Sequence, residues 1–328
     1  MNFRKIFEGV SNPLREHYRA AGAVCVVSTN CKTILDAARE AFSPITEAPS
    51  GADVTMTFWV DNTARGCPPW PRAYYRGLSH LVFAAFDSEN AVLVDLRGRR
   101  MIGRFSPAMA ADRDYWKKVI LPTLFGIVSG VIGVTALHCA CVARNGEALL
   151  LAGESSSGKS TLSLALAQQG FAFLSDDWTY FSRLDGRLLA WGLTSPLKLM
   201  PDAVQHFPDL MSREPTTSSN GELAYEVDPE LAFGVRRSAC AEPRWVVFLQ
   251  RQNDSALTLT EITRVDAAAR LEEDLEDLPA AAADGRGYLV TTIRTLVQRP
   301  CWLLRYGGPP HSVARALSQF LKGHASAS

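Results

Sequence analysis

The 328-residue sequence carries no net charge: thirty-four lysines and arginines stand against thirty-four aspartates and glutamates. No overall field therefore draws it to nucleic acid, an anionic membrane or a strongly basic partner, and any anion site must be local. Cysteine is sparse and unpatterned. The seven residues 25, 31, 67, 139, 141, 240 and 301 form no CxxC pair and no dense framework, which implies reduced thiols in a cytoplasmic compartment. Cys139 and Cys141 flank Ala140, as buried thiols of a strand would, and no second pair stands at zinc spacing. The beginning, MNFRKIFEGVSNPLREHYR, lacks the sustained apolar core of a secretory signal. Long hydrophobic runs are also scarce. The stretch VILPTLFGIVSGVIGVTAL, residues 119–137, has the length of a membrane span. It holds Pro122 and three glycines and runs straight into HCACVARNGEALLLAG, so a buried helix followed by a core strand is expected, with no membrane partner. No internal repeat is present.

What remains is ordinary globular material, 47% hydrophobic, enough for a sizeable core. Residues 1–113 read as a smaller α+β module of unassigned role. GAVCVVSTN predicts a strand, CKTILDAAREAF a short helix, and DVTMTFWVDN a strand with Val54, Met56, Phe58 and Val60 on one face. LVFAAFDSENAVLVDL predicts two strands around a polar turn, and RGCPPWPRAYYRG a stiff surface loop. Residues 114–328 read as a second module that opens with a helix over about 112–131. It continues with a hairpin at Asp185-Gly186, a polar turn-forming stretch over 214–222, and a strand at PRWVVFLQR. An acidic helix ending near Pro279, a strand at CWLLRYGG and a closing helix at HSVARALSQFLKG complete it, with HASAS expected to be disordered.

At the centre of this module Gly153, Glu154, Ser155, Ser156, Ser157, Gly158, Lys159 and Ser160 fit G-x-x-x-x-G-K-[ST]. Each fixed position has a task. Glycines let backbone N–H groups turn inward around phosphate oxygens, the lysine supplies a cation, and the last hydroxyl reaches a magnesium ion. A helix starting there adds its unpaired N–H groups and partial positive charge. EALLLA supplies the preceding buried strand and KSTLSLALAQQ the helix, with Gly170 as its stop. Three consecutive serines replace the usual extra glycine, which costs backbone freedom at 155–157. Their hydroxyls add phosphate contacts if they face the ligand.

FAFLS is a short apolar run of the kind a buried strand shows, and Asp176 and Asp177 follow it. In an open α/β sheet ligands bind at that edge, so the cradle and the two carboxylates converge. Near a triphosphate such a pair divides the work between accepting a proton and holding magnesium. The bland alternative is a pair of turn or cap residues. His138 precedes the strand that feeds the cradle, and by itself reads as a core or rim histidine with a satisfied hydrogen bond.

Together these residues resemble a family. LHCACVARNGEALLLAGESSSGKSTLSLALAQQGFAFLSDDWTYF is similar to the catalytic core of HPr kinase/phosphorylase and, more closely, to HPr-kinase-related proteins. The match is strong over about 45 residues. LTSPLKLMPDA, RWVVFLQR and LLRYGGPP are similar to later strands of those proteins but less specific. The resemblance implies an α/β fold of the HPr kinase and phosphoenolpyruvate carboxykinase type, a mixed sheet with flanking helices. It implies ATP and Mg2+ as cofactors, a protein or peptide substrate with an acceptor serine, and self-association into a homo-oligomer. By position, Lys159 would neutralise the β and γ phosphates, and the loop residues Gly153, Ser155, Ser156, Ser157, Gly158, Ser160 and Thr161 would bind nucleotide. Ser160 and Asp177 would hold the metal, Asp176 would be the catalytic base, and His138 would stand near the phosphates. The Glu-x-Arg-Gly segment of the bifunctional enzymes is absent where LLAWGLTSPLKLM stands, which puts HPr as substrate and phosphorolysis in doubt. Lys198 is a candidate for the missing charge. The expectation is thus an ATP- and Mg-dependent serine kinase. The alternatives are a non-catalytic ATP-binding regulator, a small-molecule phosphotransferase or carboxykinase-like enzyme, and a transmembrane sensor anchored through 119–137.

Overall fold

The computed structural model describes residues 13–47, 49–218, 221–254, 256–273 and 283–325. The expectations for residues 1–12, for the acidic stretch over 274–282 and for 326–328 lie outside them; of HASAS, expected to be disordered, His324 and Ala325 continue the closing helix. The chain forms two compact units, Met1–Val134 with Leu278–Arg286, and Thr135–Asp277 with Gly287–Ser328. The division falls after Val134, so the helical run assigned by sequence to the start of the second module packs with the first.

The first unit is built on an eight-stranded mixed sheet. In chain order its elements are β1 (Leu14–Ala20), β2 (Ala23–Thr29), α1 (Lys32–Ala41), β3 (Ser43–Pro44), β4 (Val54–Val60), β5 (Tyr74–Leu78), β6 (Leu81–Ala85), β7 (Ala91–Asp95) and β8 (Arg100–Phe105). The spatial order is β3-β1-β2-β4-β8-β7-β6-β5. β2, β4 and β8 run parallel and the hairpins on either side antiparallel. Val54, Met56 and Phe58 alternate into the core as their spacing predicts, whereas Val60, at the strand's end, is only partly buried. There Phe58 and Phe105 meet Trp116 with ring centroids 5.2 and 4.6 Å apart. The proline-rich loop ends earlier than the sequence suggests: Tyr74–Leu78 is a strand, because its backbone pairs with β6 over five residues.

Trp116 opens a π-helical turn, Trp116–Ile120, that leads into α2 (Leu121–Ser129). Pro122 lies within this continuous helical run, directly after the π-helical turn, a break in the i→i−4 ladder of the kind that accommodates a residue without an N–H. The run Arg113–Ile132 is long and apolar enough to cross a membrane, yet Trp116, Ile120, Leu121, Leu124, Phe125 and Val128 are fully buried inside the protein.

The second unit contains β9 (Thr135–Arg144), β10 (Glu147–Ala152), α3 (Lys159–Ala167), β11 (Ala172–Ser175), β12 (Trp178–Leu184), β13 (Arg187–Trp191), β14 (Leu197–Leu199), β15 (Thr216–Thr217), β16 (Leu223–Val227), β17 (Cys240–Arg251), β18 (Leu257–Glu261), α4 (Arg264–Glu273), the part of α5 (Ala283–Leu296) from Gly287 onward, β19 (Cys301–Tyr306) and α6 (Pro310–Ala325). The large sheet runs β10-β9-β12-β13-β17-β19-β18, and β10 also pairs with β17. The path β9-β12-β13-β17-β10 therefore closes on itself, removing the free edges of those five strands. Closure is possible because β17 is twelve residues long: Cys240 and Ala241 pair with β13, and later residues pair with β10 and β19.

Both faces of this sheet are covered, which explains why EALLLA reads as a continuous apolar run. On one face Leu149, Leu151, Ala140 and Val142 pack with Leu162, Leu164 and Leu166 of α3 and with Val313, Ala314 and Leu317 of α6. On the other, Leu150, Cys139 and Cys141 pack with Ala267 and Leu271 of α4 and Leu289 and Ile293 of α5. The alternation of Cys139 and Ala140 places both cysteines in the second layer as buried thiols. Asp185 and Gly186 turn the β12–β13 hairpin with φ of 50° and 78°, as an Asp-Gly pair in a type I′ turn does.

Candidate functional site

The loop between β10 and α3 is shaped by three left-handed residues. Gly153 has φ 145°, Ser156 φ 63° and Gly158 φ 94°. A Cβ on Gly153 would stand 2.8 Å from the Leu249 carbonyl oxygen, and one on Gly158 would run into the Tyr306 hydroxyl, so glycine is required at both ends by space as well as by φ. Ser156 occupies a conformation that L residues adopt at a cost. The three serines differ in position: Ser155 and Ser156 are exposed, whereas Ser157 is buried. Among the described residues the Ser157 Oγ has no hydrogen-bond partner.

Lys159 opens α3 and is buried. Its Nζ donates to the carbonyls of Gly153 at 2.7 Å and Glu154 at 3.1 Å, so the ammonium folds back over the loop that precedes it. Ser160 and Thr161 follow, both half-buried, in the first turn of the helix. From the Tyr306 end of β19 a phenol O–H donates to the Ser157 carbonyl at 2.6 Å.

Strand register carries the two aspartates to this loop. β11 and β12 run one after the other along the same side of β9, with Ser175 opposite Cys141 and Trp178 opposite His138. The intervening Asp176 and Asp177 therefore flank Ala140 and Cys139. Cys139 pairs on its other side with Ala152, the residue before Gly153. The carboxylates and the start of the loop are thus two interstrand spacings apart, ~9–10 Å across β9.

The two carboxylates have opposite surroundings. Asp176 is 4% exposed, and its Oδ2 accepts the Lys198 backbone N–H from β14 at 2.8 Å. Burial pushes its carboxyl up to about 7 against the Lys198 hydrogen bond, with the negative charge of Asp177 reinforcing the rise and Arg237 opposing it. Asp177 is 62% exposed, and its Oδ1 lies 3.0 Å from His138 Nε2. The His138 ring in turn lies 5.6 Å from the half-exposed indole of Trp178, tilted by 34°. The Lys198 side chain extends to Glu222, Nζ to Oε2 at 2.6 Å.

The arrangement offers a cationic, N–H-rich loop beside one buried carboxyl that titrates near neutrality and one exposed carboxylate. Among the described residues no group of three or more His, Cys, Asp or Glu could by itself hold a metal ion. A hydroxyl at Ser160 and a carboxylate at Asp177 match instead the sparse oxygen set of a magnesium ion that takes its other ligands from phosphates and water. All the residues singled out by sequence fall in the second unit, and the start of the loop, Asp176, Asp177 and His138 gather around the middle of β9, at 138–140. Three contributors were not among them. Tyr306 and Arg237 come from distant strands or loops with no motif, and Glu222 lies in the turn-rich stretch; only their apolar or polar context is visible in sequence.

No family model matches the chain, and no curated protein matches it. Among solved structures it is similar to the HPr(Ser) kinase/phosphatase from Coxiella burnetii, at 13% identity and a TM-score of 0.31 over 58% of this chain and 96% of that one. At that level of likeness, function has to be read from this chain's own residues.

Proposed function

We propose that the second unit is a phosphotransferase that moves the γ-phosphoryl group of ATP to a hydroxyl. The observation that carries this reading is the placement of an enclosed carboxyl with a pKa near 7 beside a G-x-x-x-x-G-K-S loop. Backbone N–H groups of 153–160 and the Lys159 ammonium hold the phosphates once nucleotide replaces the Gly153 and Glu154 carbonyls as the lysine's partners. Asp176, deprotonated, accepts the proton of the acceptor hydroxyl as its oxygen bonds to the γ-phosphorus and the bond to the bridging oxygen breaks, releasing ADP. Ser160 and Asp177 would hold Mg2+, which supplies charge neutralisation on the phosphates. His138 orients Asp177 through the 3.0 Å contact.

The acceptor class that fits the resemblance is a serine of a small protein or peptide, with a small-molecule hydroxyl as the enzyme alternative. Seven free cysteines support placing this activity in a reducing, cytoplasmic setting, and homo-oligomerisation belongs to the same proposal. One observation favours the non-catalytic regulator instead: the Lys198 ammonium, the candidate downstream cation, already pairs with Glu222. The test is transfer of labelled γ-phosphate from Mg-ATP in lysate of the source cell, parent against Asp176→Asn, with mass spectrometry of any parent-specific band. A parent-only phosphoserine supports the kinase. Mg-ATP binding without transfer to any protein or metabolite points to the regulator.

A further inference from the structure

The loop is not held by its own residues alone. Its sharpest part, Ser156 to Gly158, holds two departures from ordinary backbone, φ 63° at Ser156 and φ 94° at Gly158, on either side of a Ser157 whose hydroxyl finds no partner. Within the loop the Ser157 N–H donates to the Glu154 carbonyl at 3.2 Å and the Lys159 ammonium to the Gly153 and Glu154 carbonyls, but none of these bonds holds the Ser157 carbonyl, and the serines give up the freedom glycine would have. What meets the loop at this point is Tyr306. Its side chain is 4% exposed, its O–H donates to the Ser157 carbonyl at 2.6 Å, and its ring carries that hydroxyl into the space a side chain at 158 would need. Tyr306 is itself anchored at the end of β19, where its carbonyl accepts the Gln252 N–H at 2.9 Å. Its neighbours in β19 pair with β17, the strand whose Leu249 carbonyl also closes on Gly153.

We propose that Tyr306 is the positioning residue of the phosphate loop: it fixes the Ser157 carbonyl outward, so that the following N–H groups face the anion, and it makes glycine obligatory at 158. The proposal rests on the nucleotide reading for its ligand but not for its contact. Burial holds the phenol up at about 12, so the hydroxyl remains a donor across the whole working pH range. Removing the hydroxyl by Tyr306→Phe deletes one buried hydrogen bond while keeping the ring's packing, and leaves the strained segment free to relax.

The experiment has two readings on one set of proteins. Backbone hydrogen exchange is measured on nucleotide-free parent and Tyr306→Phe, and Mg-ADP and Mg-ATP affinity are measured by calorimetry on parent, Tyr306→Phe, Gly158→Ala and the double variant. The expected result is exchange at 156–160 accelerated about five-fold in Tyr306→Phe with the rest of the second unit unchanged, and nucleotide affinity weakened about five-fold, the effect of one net hydrogen bond. Gly158→Ala loses more, and part of that loss is recovered in the double variant because the obstructing hydroxyl is gone, which a merely additive effect would not give. Unchanged exchange at 156–160 in Tyr306→Phe overturns the proposal, as does an additive double variant. A parent that binds neither nucleotide while exchange still accelerates overturns the nucleotide reading and leaves the positioning role standing.

Discussion

The loop at 153–160 and the carboxylate shelf at 176–177 lie side by side yet are built by opposite means. The loop is local in sequence: one strand end, eight residues and one helix start make it up, and its Ser155 and Ser156 are exposed. The shelf is non-local. Asp176 is held between the ends of β11 and β12 beside β9 and takes a hydrogen bond from β14. A local device can be legible as a motif and still be under-constrained, hence the help from Tyr306. A non-local one acquires its chemistry, here a carboxyl raised to about 7, only when the surrounding layers close.

Two substitutions break the comparison in opposite directions. Asp176→Asn removes the proposed base and is expected to lower transfer by about 10²- to 10⁴-fold, with nucleotide affinity close to that of the parent. Lys159→Ala weakens Mg-ATP binding by about 10- to 100-fold, the range of a charge-assisted hydrogen bond. Rapid-quench transfer and calorimetry on the same preparations check both; equal losses of affinity in the two would contradict the division of labour.

The next largest effect is on stability. The Asp176 carboxyl lies at about 7 in the folded protein against 3.8 in an unperturbed chain. Between about pH 4 and 7 the folded form therefore keeps a proton that the unfolded form has released. The contribution of Asp176 to stability falls as pH rises across this window, by ~4 kcal/mol, and stays lower above it. Asp176→Asn loses that slope and is the more stable protein at pH 8, as denaturant unfolding at a series of pH values will read. The transfer rate rises through the same pH range as the base ionises.

On the loop the effects are smaller. Ser157→Ala removes a buried hydroxyl without a partner and raises stability by about 1 kcal/mol. Ser156→Gly relieves a left-handed serine at the expense of a freer unfolded chain, for a net gain of roughly 0.5 kcal/mol. Thermal unfolding at fixed pH separates the two values.

Legibility in the sequence divides along the same line between local and non-local. The strand, loop and helix around Lys159, the Asp-Gly hairpin and the alternation of Val54, Met56 and Phe58 all show as short-range patterns of residue type, even where the contacts they make are distant, as with Phe58 against Trp116. The strand at Tyr74–Leu78 was hidden because its five residues are exposed and are strand only through pairing with β6. The boundary after Val134 was hidden for a related reason: the apolar run 113–132 has no periodic stripe that names its partner. In the site, Asp176 and Asp177 were visible as a pair, but which of them is enclosed depends on the β9 register and on Lys198, twenty-two residues later. Tyr306 stands 149 residues from Ser157, and no local pattern could join them.

That the loop and Asp176 form one site is tested most directly by following the carboxyl ¹³C resonance of Asp176, assigned by its loss in Asp176→Asn, as pH is raised with and without magnesium-free ADP. If the phosphates lie in the loop beside it, their negative charge raises the Asp176 pKa above its nucleotide-free value of about 7, and added Mg2+ brings it back down. An Asp176 titration identical with and without saturating ADP would mean that the carboxyl and the loop do not serve the same ligand.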